Sequence, residues 1–454
     1  MKKLLPVKEC AFLCFTFLLT SIVHSEELKS NDVFGNIPFK SINHDFLIHD
    51  VERRGVVKVP FDYDNTGNTI NVFYRLIPSL SGDNSKPILV VINGGPGASS
   101  WGYHPIRYDY SSVKPSEISE LRKYFRVLLI DQRGTGYSAP LDLNSRHLSA
   151  DVIARYFDHD EQAKDHTAVI EKVIPEDQEY FLLARSYGGL VGFEHLLKST
   201  RQPKGYIFSS AIQPHLDSAQ VFAKRRYKQK LLNLVLQEQS EDTVTKLVQL
   251  RALLKSVGLE QERVNILWSF LGRNENWIHE LNQELSKLLA ISTREEMLQV
   301  LSVDNLSTVN LLNYVLSSKS LTPGFTDKTL TSVTSNTVPF EPWMLDENWT
   351  LNQLSLASGW KGAFIRAVDK NPPKPSYFPS VNFINEVVAH NNVLFTFGKL
   401  DSFLDSELMF REAQRFNTGE NVSFKTFEGG HGAAFSKEGA EYLNNWANSL
   451  LSKH

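Results

Sequence analysis

The sequence predicts an α/β fold: a mostly parallel sheet covered by helices on both faces, with a helical insertion late in the chain. Three observations carry this. Short apolar runs recur at Pro87–Ile92, Arg126–Ile130, Tyr180–Ala184, Tyr206–Ser209 and Val393–Phe397. Runs without a polar face belong to strands buried on both sides. Helical patterns lie between such runs, as parallel crossovers require. Between about Pro214 and His390 the alternation stops and helical spacing dominates (Leu247, Leu250, Leu254), then the strand rhythm resumes at Asn392.

The elements follow in order. Lys2, Lys3 and Lys8 precede an apolar run, Ala11–Val23, that is too short to span a bilayer comfortably. Val23-His24-Ser25 stands before Glu26, so residues 1–25 read as a secretory signal peptide. An uncleaved anchor is the alternative. Leu13 before Cys14 speaks against a lipoprotein. Cys10 and Cys14 are the only cysteines, so cleavage leaves a thiol-free chain. Disulfides, a thiolate nucleophile and Cys-ligated metals are then excluded. Two strands are expected next, Gly55–Tyr63 and Thr69–Ile77, separated by the turn Asp64–Asn68. The second alternates Ile70, Val72, Tyr74 and Leu76 with polar residues. A helix is expected over Ala150–Ile174 and another over Glu438–Leu451. The insertion divides the chain into a catalytic domain, 26–213 and 390–454, and a helical cap domain, 214–389, that reads as a lid. It holds five of the seven Trp: Trp268, Trp277, Trp343, Trp349 and Trp360.

Composition bounds the function. Hydrophobic residues make up 42% and charged residues 22%, which excludes disorder, collagen and a polytopic membrane protein. With 48 basic and 51 acidic residues the formal charge is −3, and nothing suggests a nucleic-acid partner.

Chemistry concentrates at strand ends. In Leu182-Leu183-Ala184-Arg185-Ser186-Tyr187-Gly188-Gly189 a buried strand stops and a helix starts at Ser186. Such a turn exposes a serine hydroxyl at the carboxyl edge of a sheet, and the Tyr187 N–H faces a developing oxyanion. Taken alone, the same serine would read as a helix N-cap. Asn93-Gly94-Gly95-Pro96-Gly97 follows another buried strand, and glycines there let backbone N–H groups approach a ligand. Gly95 is the favoured second oxyanion donor, with Gly94 as the fallback. The turn Asp131–Ser138 reads as an organiser of neighbouring loops through hydrogen bonds. A serine nucleophile needs a base and an orienting carboxylate. His431, in a glycine-flanked loop after the last strand run, is the candidate base. Asp401, after Gly398-Lys399-Leu400, is the candidate acid, with Asp405 and Asp217 as competitors. The basic group Lys224-Arg225-Arg226, Lys228 and Lys230 reads as a solvated helix face.

Taken in order, NGGPG, DQRGTGYS, ARSYGG, GKLD and GGHG resemble the prolyl aminopeptidase (proline iminopeptidase) branch of the α/β hydrolases. The resemblance covers residues 40–213 and 390–452. Asn93 stands where the family has histidine, Ala184 where it usually has glycine, and Arg185 where Gly or Glu is frequent. The resemblance implies an eight-stranded, mostly parallel sheet. It implies a Ser186–His431–Asp401 triad, an oxyanion hole from Gly95 and Tyr187, and no metal or organic cofactor. The implied function is an exported serine hydrolase, periplasmic or secreted. It would act as an aminopeptidase releasing N-terminal residues, proline among them, from short peptides. The Asn93 loop with Ser99-Ser100 also resembles serine carboxypeptidases, which rank second together with a carboxylesterase. A non-catalytic binding protein ranks last. The expected partners are a short peptide or small ester, without stable membrane association after signal cleavage. In the cap, Glu341 and Trp343 could meet a substrate ammonium, although a loop packing its Trp into the helices is the plainer reading.

Overall fold

The computed structural model describes residues 53–96, 100, 106–109, 112–115, 118–138, 147, 149–216, 218–257, 276–301, 378–401, 403–416 and 419–452. Ten strands are described: β1 (Arg53–Asp62), β2 (Asn65–Ile77), β3 (Ile88–Ile92), β4 (Ile106–Asp109), β5 (Ser112–Pro115), β6 (Arg126–Ile130), β7 (Tyr180–Arg185), β8 (Gly205–Ser209), β9 (Val393–Gly398) and β10 (Val422–Phe427). Eight of them form one sheet in the order β1-β2-β6-β3-β7-β8-β9-β10. β1 pairs β2, and β2 pairs β6, antiparallel; from β6 to β10 every neighbour is parallel. β4 and β5 make a separate antiparallel pair that the sequence reading misses.

The apolar runs explain the sheet. All five side chains of β3 are fully buried. Ile88, Val90 and Ile92 face one apolar cluster, Leu89 and Val91 the other. The first cluster is completed by α2 (His159–Val173), α3 (Gly188–Lys198), α8 (Val381–Ala389) and α9 (Ser406–Ala413). The second is completed by α10 (Lys437–Leu451), through Leu443, Ala447 and Leu450. Each such Val, Leu or Ile contributes about 1.5–3 kcal/mol on burial.

Two local expectations are corrected. Asn65–Asn68 belong to β2, with Asp62 opposite Asn65, so the hairpin turns tightly at Tyr63-Asp64. The helix expected over Ala150–Ile174 is two helices, α1 (Ala150–Tyr156) and α2. Asp158 restarts it: its carboxylate accepts the Glu161 N–H at 3.1 Å, an N-cap that a continuous helix could not use. Asp158-x-x-Glu161 is a readable start signal.

One arginine pins this corner. Arg133 is fully buried after β6, in the expected organiser turn. It grips Asp165 of α2 through Nε (2.7 Å) and Nη2 (2.6 Å). It also donates to the carbonyls of Pro60, Phe61 and Tyr156 and to Glu161. Burial opposes its charge, but Asp165 and Glu161 outweigh that and raise its pKa.

A third apolar cluster stands apart from the sheet. It gathers Leu232 and Leu236 of α4 (Ser218–Gln239), and Leu247, Leu250 and Leu254 of α5 (Glu241–Ser256). Trp277, Leu281, Leu285 and Leu288 come from α6 (Trp277–Leu289), and Met297 from α7 (Arg294–Leu301). Ser240 caps α5 by accepting from Thr243 N–H.

Candidate active site

Because β3, β6, β7, β8, β9 and β10 run parallel, the loops that follow them share one rim. The register carries this: Ile92 pairs Ala184, Ala184 pairs Phe208, Ser209 pairs Thr396, and Gly398 pairs Phe427.

Ser186 follows β7 with φ +55°, in the left-handed region. A non-glycine residue there costs about 1–3 kcal/mol and persists only where its surroundings enforce it. They do so here. Ser186 N–H donates to the Ser210 carbonyl at 3.1 Å, and the Ser186 carbonyl accepts from Ile212 N–H (2.8 Å) and Gly189 N–H (2.9 Å). Ser210 is itself at φ +41° and donates to the Thr396 carbonyl. Tyr187 then opens α3 with helical angles. Ala184 fits in place of a smaller residue because Gly192 of α3 faces it: a Cβ at 192 would lie 2.7 Å from the Ala184 Cβ.

The Asn93 loop lies directly on this turn. A Cβ on Gly94 would stand 2.7 Å from the Ser186 Cβ and 3.2 Å from its Oγ, so only glycine admits the contact. Gly95 has φ +130°, a conformation side chains rarely adopt. Gln132 holds the loop by donating Nε2 to the carbonyls of Asn93 (3.0 Å) and Gly94 (3.1 Å). Asp131 accepts from Ser100 N–H (2.8 Å) and Tyr137 N–H (3.0 Å), and the Ser138 hydroxyl donates back to the Asp131 carbonyl. The 131–138 turn therefore organises the rim as the sequence suggests. Gln132 is the residue that sequence reasoning did not single out.

The candidate base and acid lie in contact. His431 Nδ1 is 2.8 Å from Asp401 Oδ2. A carboxylate only accepts, so Nδ1 carries the proton and Nε2 is the ring atom left for proton transfer. The Asp401 side chain is 1% exposed and the His431 side chain 14% exposed. The ring is thus shielded but reachable. Burial pushes the Asp401 pKa up. The adjoining imidazole, its hydrogen bond and the N–H groups of Leu404 and Phe403 outweigh that, and hold it below the usual carboxylate value. Asp405 is otherwise engaged, capping α9 through Leu408 N–H at 3.0 Å.

Glycines close the gap between the two loops. A Cβ on Gly398 would sit 2.1 Å from the Gly430 carbonyl oxygen, so the backbones touch where β9 ends. Leu400 N–H donates to the Gly429 carbonyl at 2.7 Å. On the Ser186 side, a Cβ on Gly432 would stand 3.6 Å from Arg185 Nη2, and the Arg185 guanidinium lies over the Phe435 ring at 5.2 Å. The His431 loop therefore overhangs the residue preceding Ser186. Of the basic group on α4, Lys224 is exposed, but Lys228 reaches across to the Lys399 carbonyl at 2.6 Å, a bond the solvated-face reading did not foresee. Asp217, Glu341 and Trp343 lie outside the described residues, as does the signal segment.

Part of the chain is similar to known proteins. Residues 121–267 match the family described as serine aminopeptidase, S33, a stretch that includes Ser186 and ends before Asp401 and His431. Proline iminopeptidase of Aeromonas sobria is 31% identical over 149 residues, 30% of this chain and 32% of that protein. Proline iminopeptidase aneH of Aspergillus aculeatus is 28% identical over 158 residues, 31% of this chain and 32% of that protein. The chain thus spans about a third of the length of the curated relatives it matches. Among solved structures, proline iminopeptidase of Mycobacterium smegmatis aligns with 88% of this chain and 100% of its own, at 13% identity and a TM-score of 0.40. Strand order and rim geometry are those of an α/β-hydrolase fold, and over residues 121–267 the chain is similar to the serine aminopeptidases.

Proposed function

We propose that the chain is an exported serine hydrolase that releases N-terminal residues from short peptides. The observation that supports it best is the strained Ser186 on the same rim as a His431–Asp401 pair whose free ring nitrogen is Nε2. In this reading Ser186 Oγ attacks the scissile carbonyl while His431 Nε2 takes its proton. The tetrahedral oxyanion is held by the N–H groups of Gly95 and Tyr187. The carbon–nitrogen bond breaks, and His431 returns the proton to the leaving amine. Water, activated by the same imidazole, cleaves the acyl-enzyme and restores Ser186. Asp401 keeps Nδ1 protonated and stabilises the imidazolium. Peptide specificity would lie with the helical insertion, including Glu341 and Trp343, and proline is the residue suggested by the relatives' names.

Three measurements test this. A fluorophosphonate should label the folded protein at Ser186 and no other serine; a folded protein that resists labelling would return the chain to the binding-protein class. A panel of free aminoacyl, N-blocked and ester substrates then separates the chemistries. Cleavage that vanishes when the amino group is blocked identifies an aminopeptidase. Indifference to the block points to an esterase or carboxypeptidase on the same machinery. Export is checked by sequencing the amino terminus of the mature protein, which should begin at Glu26.

A further inference from the structure

The helical unit α4–α7 meets the site at Phe403. Phe403, two positions after Asp401, packs against the apolar cluster of that unit. Its ring also lies 5.1 Å from the His431 ring, centroid to centroid, with the planes tilted by 45°. Its backbone N–H donates to Asp401 Oδ1 at 2.8 Å. One residue therefore meets the helical core, the imidazole and the carboxylate. Two further bonds fasten α4 to the same neighbourhood. Lys228 Nζ donates to the carbonyl of Lys399, just before Asp401, at 2.6 Å, and Arg411 of α9 donates to Gln220 Oε1 at 2.9 Å.

We propose that Phe403 is a positioning residue through which the seating of the helical unit sets the angle of the His431 ring. The bond from Nδ1 to Asp401 fixes one atom of the imidazole. Rotation of the ring about its last side-chain torsion is only broadly restrained. A phenyl ring wedged on one side of the imidazole supplies the missing restraint. Because the other side of the wedge rests on α4–α7, displacement of those helices changes where Nε2 points. A peptide that seats the helices would thereby align the base that acts on it. The catalytic consequence rests on the Ser186–His431–Asp401 reading; the wedge itself does not.

The experiment uses the full chain and reads the two separately. The His431 Nδ1 proton is followed by NMR in histidine-labelled protein, assigned by its disappearance in His431→Gln. Kinetics are taken on the best substrate of the panel. Phe403→Ala should broaden or erase this resonance and lower kcat by about 10–100-fold, with KM within about threefold of the wild type. Phe403→Leu, which keeps apolar bulk, should recover part of both. Lys228→Met touches neither His431 nor Asp401, yet should broaden the resonance and lower kcat by roughly two- to fivefold. A resonance as sharp in folded Phe403→Ala and Lys228→Met as in the wild type would overturn the proposal, whatever the rates. If Phe403→Ala does not fold, Phe403→Leu and Lys228→Met decide it by the same signal. A wild type inert to fluorophosphonate would defeat the hydrolase reading while leaving the NMR comparison to judge the wedge.

Discussion

The sheet rim and the helical unit are held together by different means. At the rim, backbone meets backbone: Gly398 against Gly430, Leu400 on the Gly429 carbonyl, Ser186 between Ser210 and Ile212. Such contacts have almost no slack, because peptide groups have no rotamers to exchange. The helical unit is instead a leucine-rich cluster that reaches the rim through the side chains of Phe403, Lys228 and Gln220. Side chains can repack. One region is suited to fixing reacting atoms within fractions of an ångström, the other to adapting to what is bound.

The largest expected effect removes chemistry without disturbing either region. Ser186→Ala should lower turnover by about 10⁴-fold or more while the thermal midpoint stays close to that of the wild type. A residual rate near normal would remove Ser186 from the mechanism and with it the reason for the strained turn.

Gly398→Ala should be next, since its Cβ would meet a carbonyl oxygen that cannot move away. We expect a loss of about 3 kcal/mol or more in urea unfolding, together with loss of fluorophosphonate labelling in the protein that remains folded. Leu281→Ala, at a fully buried position of the helical cluster, should cost about 2–4 kcal/mol, yet leave labelling of Ser186 largely intact. If Leu281→Ala silenced labelling as thoroughly as Gly398→Ala, the division between rigid rim and adaptable helices would be wrong.

The smallest effect concerns pH. His195 of α3 is buried, and its Nδ1 donates to the Tyr206 hydroxyl at 2.9 Å. Burial, aided by the charge of nearby His166, pushes its pKa down to about 3. In the unfolded chain it titrates at about 6.5. Between those values the unfolded state binds more protons, so stability rises with pH across that window and is lost as pH falls through it. His166 shifts in the same direction, also through burial. Asp401, whose folded pKa is depressed, adds a similar loss only below the ordinary carboxylate range. Unfolding midpoints between pH 7 and about 4.5 should therefore fall in the wild type and fall less in His195→Gln; parallel curves would refute the assignment.

Much of the sheet was legible because its signals are local. Five apolar residues in a row at Ile88–Ile92 can only be comfortable inside, and glycines beside Ser186, Gly398 and His431 mark where chains must approach closely. The candidates Ser186 and Asp401 were readable for the same reason, since each follows such a run, whereas His431 stood out by its flanking glycines after a more polar strand. What escaped depends on partners distant along the chain. Gln132 looks like any polar turn residue until the carbonyls of Asn93 and Gly94 are brought beneath it. Phe403 reads as an ordinary apolar residue until the helical cluster arrives behind it. Lys228 reads as solvated until the Lys399 carbonyl is placed within reach. The break at Asp158, by contrast, is written in the sequence as a capping signal, but the apolar spacing on either side stays helical and masks it.

The reciprocal fit of Ala184 and Gly192 has a consequence for anyone grafting this turn. The methyl group at 184 occupies the space that a side chain at 192 would need. Transplanting the strand alone into a scaffold that carries a larger residue on the following helix would drive the two elements apart and release the serine from its unfavourable backbone angles. A functional chimera must import both partners, or neither.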